Sequence, residues 1–231
     1  MTNRSKINVS NVLKHVWHNV APMKVREYRG KKVREQKIKR TLNGNDYIFI
    51  HIPKAAGSSI GNALIGHDKP GHFSIQEYMS ASQDFLLSKF TFTFTRHPVS
   101  RFISAYNYLT SAPKNESDRR FAKQVMSNYN GINGFILDFL TSDKLYSHIH
   151  FYPQTYFLVC NDILAVDFIG RFENLTTDFD HVCTIIGKTA VLPHSNKTQD
   201  PGGETCLCSD AVEKLYDLYQ KDFQLLGYHK K

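Results

Sequence analysis

Tyr47-Ile48-Phe49-Ile50-His51-Ile52-Pro53-Lys54-Ala55-Ala56-Gly57-Ser58-Ser59-Ile60 is the stretch from which the rest of the chain is read. Tyr47 to Ile50 is a β-branched and aromatic run that suits a buried central strand. Pro53 then ends the ladder because it has no N–H to donate. Gly57 opens backbone angles closed to other residues, and Ser58 or Ser59 is placed to cap a helix starting near Ile60. Strand, tight loop and helix start follow in that order. A helix N-terminus offers unpaired N–H groups and a partial positive charge, so this geometry favours a bound anion, and Lys54 adds an ammonium to it. The loop reads as a phosphate-type or sulfate-type cradle. It is not a Walker A sequence, because Lys54 precedes Gly57 instead of following it, which disfavours an ordinary ATP or GTP site.

The 231 residues around this stretch suffice for one α/β domain with a full core. The net charge of +8 is unevenly placed: residues 1–46 hold 12 of the 29 Lys and Arg but only 3 of the 21 Asp and Glu. The remainder, 17 against 18, is near neutral, so the basic character belongs to the N-terminal arm. No apolar run reaches the roughly 18 residues of a membrane span, and residues 1–20 lack the continuous apolar core of an export signal. The expectation is a cytoplasmic protein. Cys160, Cys183, Cys206 and Cys208 match neither zinc-ligand spacing nor a disulfide framework, so free thiols are expected.

Along the arm, Ile7 to Val20 carries a helical apolar stripe, and Lys24 to Arg40 is a basic run. The run suits either a solvated arm or peripheral contact of residues 7–40 with an anionic membrane or polyanion. After the loop, helix is expected over 60–65 and 75–88, strand over Phe90 to Thr95, and helix from Pro98 to Leu109. Residues 111–120 read as a polar loop. Phe121–Asn128 and Gly134–Leu140 read as helix, Leu158–Cys160 and Val166–Gly170 as strands, and Asn174–Ile186 as a helix with one buried face. Residues 188–208 form a long loop before a last helix capped by Ser209.

Two basic strand-to-helix junctions, at Lys54 and at Arg96-His97-Pro98, would suit a ligand with two separate anionic groups held at the carboxyl ends of parallel strands. His51-Ile-Pro-Lys-Ala-Ala-Gly-Ser-Ser59 resembles the 5′-phosphosulfate loop of the sulfotransferases, and Phe94-Thr-Arg-His-Pro-Val-Ser-Arg-Phe-Ile-Ser-Ala-Tyr106 resembles their 3′-phosphate motif. The likeness is to the carbohydrate branch, with its heparan, chondroitin and bacterial members. It continues through Pro153-Gln-Thr-Tyr156, Phe168 to Leu175, Leu192 to Asn196 and Tyr219 to Tyr228. It covers roughly residues 46–228 and leaves 1–45 as a separate basic arm before a 46–231 sulfotransferase domain.

The resemblance implies an α/β fold: a three-layer, P-loop-like domain with a central parallel sheet flanked by helices. It implies 3′-phosphoadenosine 5′-phosphosulfate as donor, no metal, no nucleic acid, and a carbohydrate or glycolipid acceptor. Lys54 would meet the charge building on the leaving oxygen, and His72 would take the acceptor's proton. Ala56, Gly57, Ser58 and Ser59 would hold the 5′ end, and Arg96 and Ser104 the 3′-phosphate. Arg171 is assigned to nucleotide or acceptor, and His194 and Asn196 to closing the long loop over the adenine. Gln154 stands open between ligand contact and structure. Glu173 is the rival base, while His51 is read as orienting the loop, Arg101 as structural, and His97, His148 and His150 are given no chemistry. A non-carbohydrate acceptor and a non-catalytic nucleotide-binding module remain the alternatives.

Overall fold

The computed structural model describes residues 23–66, 71–111, 113–192 and 206–230. The chain divides into two compact units, one ending at Gly44 and one beginning at Asn45. In the first unit the basic run is a continuous helix, α1, Met23–Gly44. Lys, Arg, Gln and Glu all tolerate helix well, and the spacing of Glu35 and Lys39 adds an i,i+4 pair of favourable order. Lys31, Lys32, Lys37, Lys39 and Arg40 are exposed. The apolar stripe of residues 7–20 lies outside the described residues. Among those described, no helix is long and apolar enough to cross a membrane.

The second unit is built on a small parallel sheet. β1 is Tyr47–Ile50, followed by α2 (Gly57–Ile65), α3 (Ile75–Ala81), α4 (Gln83–Leu87), β2 (Phe90–Thr95) and α5 (Pro98–Ser111). Then come α6 (Glu116–Gln124), α7 (Gly131–Gly134) with a π turn over Phe135–Phe139, and α8 (Thr155–Leu158). A two-residue hairpin, β3 (Val159–Cys160) with β4 (Ile163–Leu164), precedes β5 (Phe168–Arg171). α9 (Leu175–Ile185), α10 (Ser209–Leu218) and α11 (Gln220–Leu226) close the unit. The sheet order is β1-β2-β5, with Phe49 beside Phe92 and Phe94 beside Gly170. All three strands point the same way, so their carboxyl ends, at His51, Arg96 and Phe172, share one edge.

Both faces of the sheet are covered. Tyr47, Phe49, Phe92 and Phe94 pack with Ile60 and Leu64 of α2 and Phe179, Val182 and Cys183 of α9. On the opposite face the threonines of the Phe-Thr alternation are also buried, and each finds a partner. Thr93 Oγ1 donates to the Ile50 carbonyl at 2.8 Å, and Thr91 shares hydrogen bonds with Asp167 at 2.8 and 3.0 Å.

Four expectations change. Residues 111–120 are not all loop, because Asn115 caps α6 by accepting the Asp118 N–H at 2.9 Å, with acidic residues in the first turn. The expected 75–88 helix breaks at Ser82, whose backbone is extended, and Ser74 with Glu77 forms a capping box at its start. The strand at 158–160 is only the two-residue arm of a hairpin turned by Asn161 and Asp162, both left-handed, as a type I′ turn demands. The last helix starts at Ser209 itself and divides at Tyr219; Ser209 Oγ bonds Asp210 instead of capping.

Candidate functional site

The loop after β1 is shaped differently from its sequence reading. Gly57 does not take a left-handed backbone; Lys54 (φ 68°) and Ala56 (φ 64°) do. Alternation of left-handed and ordinary residues turns successive N–H groups toward one side, which is the nest geometry that binds anions. Non-glycine residues at such angles cost on the order of 1–3 kcal/mol each, so the loop stores strain where the chemistry is expected. α2 therefore starts at Gly57 with Ala56 at its N-cap position, and Ser58 and Ser59 lie inside the first turn rather than before it. Gly57 is required by close approach: a Cβ there would sit 1.8 Å from Cδ2 and Nε2 of His51.

His51 is buried, and desolvation, with the charge of nearby His72, holds its imidazole well below the ordinary histidine range. It is a neutral packing and orienting residue. Its backbone carbonyl bonds Nδ1 of His72 at 3.0 Å, and the two rings lie 4.2 Å apart. A carbonyl only accepts, so Nδ1 of His72 carries the hydrogen, and the basic nitrogen of the neutral ring is Nε2.

Lys54 Nζ lies 4.5 Å from the centre of the Tyr108 ring. Burial, and then the like charges of Arg96 and Lys114, pull its ammonium down to about 8. Lys54 and Arg96 thus come within electrostatic reach of each other, from two different strand ends. A cation pressed by cations fits an anionic ligand, whose arrival would relieve both effects.

Around this pair lies a buried group that the sequence reading missed. Tyr108 donates to Asp118 Oδ2 at 2.6 Å, and Asn115 Nδ2 donates to the same oxygen at 2.8 Å. His148 Nε2 sits 3.3 Å from Oδ1, and His150 Nε2 sits 3.6 Å from Oδ2. Burial alone would raise the Asp118 carboxyl, but its contacts with His150 and Tyr108 outweigh that and take it to about 2. Desolvation and His150 bring His148 down to about 4. Among the described residues, Asp118, His148 and His150 are the grouping with metal-ligand spacing. Its hydrogen bonds give the protein's own account of it. His148 Nδ1 accepts the His150 N–H at 3.4 Å, so Nε2 bears the proton given to Asp118, and the carboxylate is satisfied by protein donors. The Tyr108 ring meets His150 edge-on at 5.0 Å, and His150 meets His72 at 6.2 Å, so the group links the two ends of the site. The legible signals were the Asn115-x-x-Asp118 cap and the His148-Ile-His150 alternation.

The second junction is held from behind. Gln154 is fully buried; its Oε1 accepts the Arg96 N–H at 2.9 Å, and its Nε2 donates to the Arg96 carbonyl at 2.8 Å. Asp222 accepts the N–H groups of Gln154 and Thr155 at 2.8 and 2.9 Å. Gln154 is therefore structural. Arg96 lays its guanidinium over the Phe172 ring at 4.3 Å, and Ser104 is half-buried two turns into α5.

Glu173 accepts the His97 N–H at 2.8 Å and the Tyr228 hydroxyl at 3.2 Å, which occupies both its oxygens in joining β5 to the C-terminal segment. Arg171 donates to the carbonyls of Leu226 and Gly227 at 3.0 and 3.2 Å and stacks on Tyr228. It caps the end of α11, where free carbonyls favour a cation. Arg101 is fully buried and donates to the carbonyls of His150 and Tyr152 at 3.0 and 2.6 Å and, at 3.5 Å, of Pro53 in the loop. His194 and Asn196 lie outside the described residues.

A family model described as the sulfotransferase family matches residues 42–229, well over half of the chain. The chain belongs to the sulfotransferase family. The match takes in the β1 loop, the Arg96 junction and the C-terminal residues that hold it. Comparisons with curated proteins and with solved structures return no match.

Proposed function

We propose that this sulfotransferase moves a sulfuryl group from 3′-phosphoadenosine 5′-phosphosulfate to a hydroxyl of a carbohydrate or glycolipid by in-line transfer. The observation that carries the reading is that Lys54 and His72 are both anchored to one loop, Lys54 within it and His72 through the His51 carbonyl. The nest of Lys54 to Ala56 and the first N–H groups of α2 suit the 5′ end, and Arg96 with Ser104 the 3′-phosphate. His72 takes the acceptor's proton at Nε2. Its hydroxyl oxygen bonds sulfur as the bond from sulfur to the 5′-phosphate oxygen breaks, and the Lys54 ammonium meets the charge left on that oxygen. No metal is assigned a part. A P-loop-like, three-layer description of the second unit goes with this reading, supported by an anion loop after the first strand of a parallel sheet. Residues 7–40 are assigned to peripheral contact with an anionic acceptor or membrane surface in the cytoplasm, supported by the exposed lysines of α1.

The test is a calorimetric titration of adenosine 3′,5′-bisphosphate, with ATP and magnesium as control, on the wild type and on Arg96→Ala. Metal-independent binding lost in the variant supports the donor site, and transfer of labelled sulfate from the phosphosulfate to a panel of glycans then tests the acceptor. A preference for ATP with magnesium refutes it.

A further inference from the structure

Lys54 stands at a left-handed position, and a lysine side chain has four rotatable bonds with no fixed direction. Something must aim it. The ring beneath Nζ belongs to Tyr108, on the outer turns of α5, and that ring is itself held by an unusually complete set of contacts. Its hydroxyl donates to Asp118 at 2.6 Å and accepts the Lys114 N–H at 2.9 Å. Its face-side neighbour is Lys54, and its edge meets His150. Asp118 in turn is buried and is fixed by Asn115, His148 and its own capping N–H. A phenol that donates to a carboxylate gains electron density in its ring, which strengthens the attraction for an ammonium above it.

We propose that Tyr108 and Asp118 are positioning residues for Lys54, the ring carrying the ammonium and the buried carboxylate locking the ring in place. The pair does not touch the ligand; it keeps Lys54 in one orientation before an anion arrives. The inference rests on the reading of Lys54 as a donor-site residue. Burial and the hydrogen bond to Asp118 push the Tyr108 phenol up to about 12, so it stays a donor throughout the working pH range. The charges acting on Lys54 are Arg96 and Lys114, which oppose its proton, and Asp118, which supports it.

Fixing a long side chain in advance spares its ordering on binding, which is worth about two- to tenfold in affinity. Tyr108→Leu is therefore expected to weaken adenosine 3′,5′-bisphosphate by that factor, with Tyr108→Phe, which keeps the ring and loses the lock, in between. The deciding measurement repeats both substitutions in a Lys54→Met background. There the loss is expected to vanish, because no ammonium remains to be aimed; an equal loss in both backgrounds would mean that Tyr108 acts through the fold, and would overturn the proposal. A ligand-free arm separates this from the donor assignment. In an NMR titration of lysine side chains, with Lys54 assigned by its disappearance in Lys54→Met, Tyr108→Leu, which removes the ring beneath the ammonium and leaves every charge in place, should lower the Lys54 midpoint. An unmoved midpoint also overturns the proposal. Absence of bisphosphate binding by the wild type would refute the donor site alone and leave the titration to decide this one.

Discussion

Replacing Gly57 by alanine adds a single methyl group where the structure has no room for it. The new Cβ would lie 1.8 Å from two atoms of the His51 ring, whereas ordinary contact begins at 3.4 Å, so ring or backbone must shift by about 1.6 Å. The ring has nowhere to go. Phe49 lies 5.7 Å from its centre and His72 4.2 Å, and the His51 carbonyl is bonded to His72. Overpacking of a closed core costs about 1–3 kcal/mol, and a displacement of this size belongs at the upper end. For a unit of this length that is a fall in melting temperature of roughly 6–10 °C. Thermal unfolding followed by circular dichroism measures it, and adenosine 3′,5′-bisphosphate affinity should fall as well, because any ring movement drags the loop and His72 with it. The control is Gly57→Ala in a His51→Ala background. There the methyl has space, so the double variant should be more stable than the sum of the two single losses by at least about 1 kcal/mol. Additive losses, or a Gly57→Ala protein that melts like the wild type, would refute the close-approach argument.

Other consequences are open to measurement. Because an anion relieves the pressure on Lys54, bisphosphate binding near pH 8–9 should take up a proton, seen as a dependence of calorimetric enthalpy on buffer ionisation heat; over the same pH range that uptake should be lost in Lys54→Met. His148, depressed to about 4 from the usual 6.5, binds its proton more readily unfolded, so stability should drop as pH falls from 6.5 to 4; Asp118, depressed to about 2, should add a further drop from about pH 4 downward. Thermal melts across pH 2–7 on wild type and His148→Asn test this, the variant being flatter between 6.5 and 4. Arg101→Met leaves the carbonyls of Pro53, His150 and Tyr152 without their donor inside the protein; at about 1–3 kcal/mol for each such group the urea midpoint should fall by more than any single surface change produces. Gln154→Met removes both hydrogen bonds to the Arg96 peptide and should cost about 2 kcal/mol of stability together with nucleotide affinity.

The parallel sheet and its two junctions were legible because β-branched and aromatic runs break abruptly at Pro53 and Pro98, local signals that tertiary packing reinforces. Lys54 and Arg96 were legible by their place beside those breaks, and His72 by its place in the family resemblance. What the sequence could not display was the partner of each. Asp118 lies some thirty residues before the His148-Ile-His150 pair, and nothing local says that the carboxylate would gather both histidines and a tyrosine or that His51 would fill the place of Gly57's missing side chain. The left-handed angles at Lys54 and Ala56 ran against the usual preference for glycine, so reading Gly57 as the turning residue placed the strain one residue too late. Arg171, Gln154 and Glu173 carry the side chains of ligand contacts, but Arg171 and Gln154 bond backbone groups, and Glu173 a backbone N–H and the Tyr228 hydroxyl, that are distant in sequence and that only the fold brings near.

The Arg96 junction is laid down early in the chain but supported from its far end. Asp222 holds the residue that grips Arg96, and Tyr228 and His229 contact Thr95, Glu173 and His97. Translation runs in one direction, so a polypeptide still being synthesised carries the Lys54 loop long before the Arg96 junction has its support. A protein ending just before Asp222 should therefore keep its lysine loop and lose the support of its arginine, and with it the affinity for adenosine 3′,5′-bisphosphate.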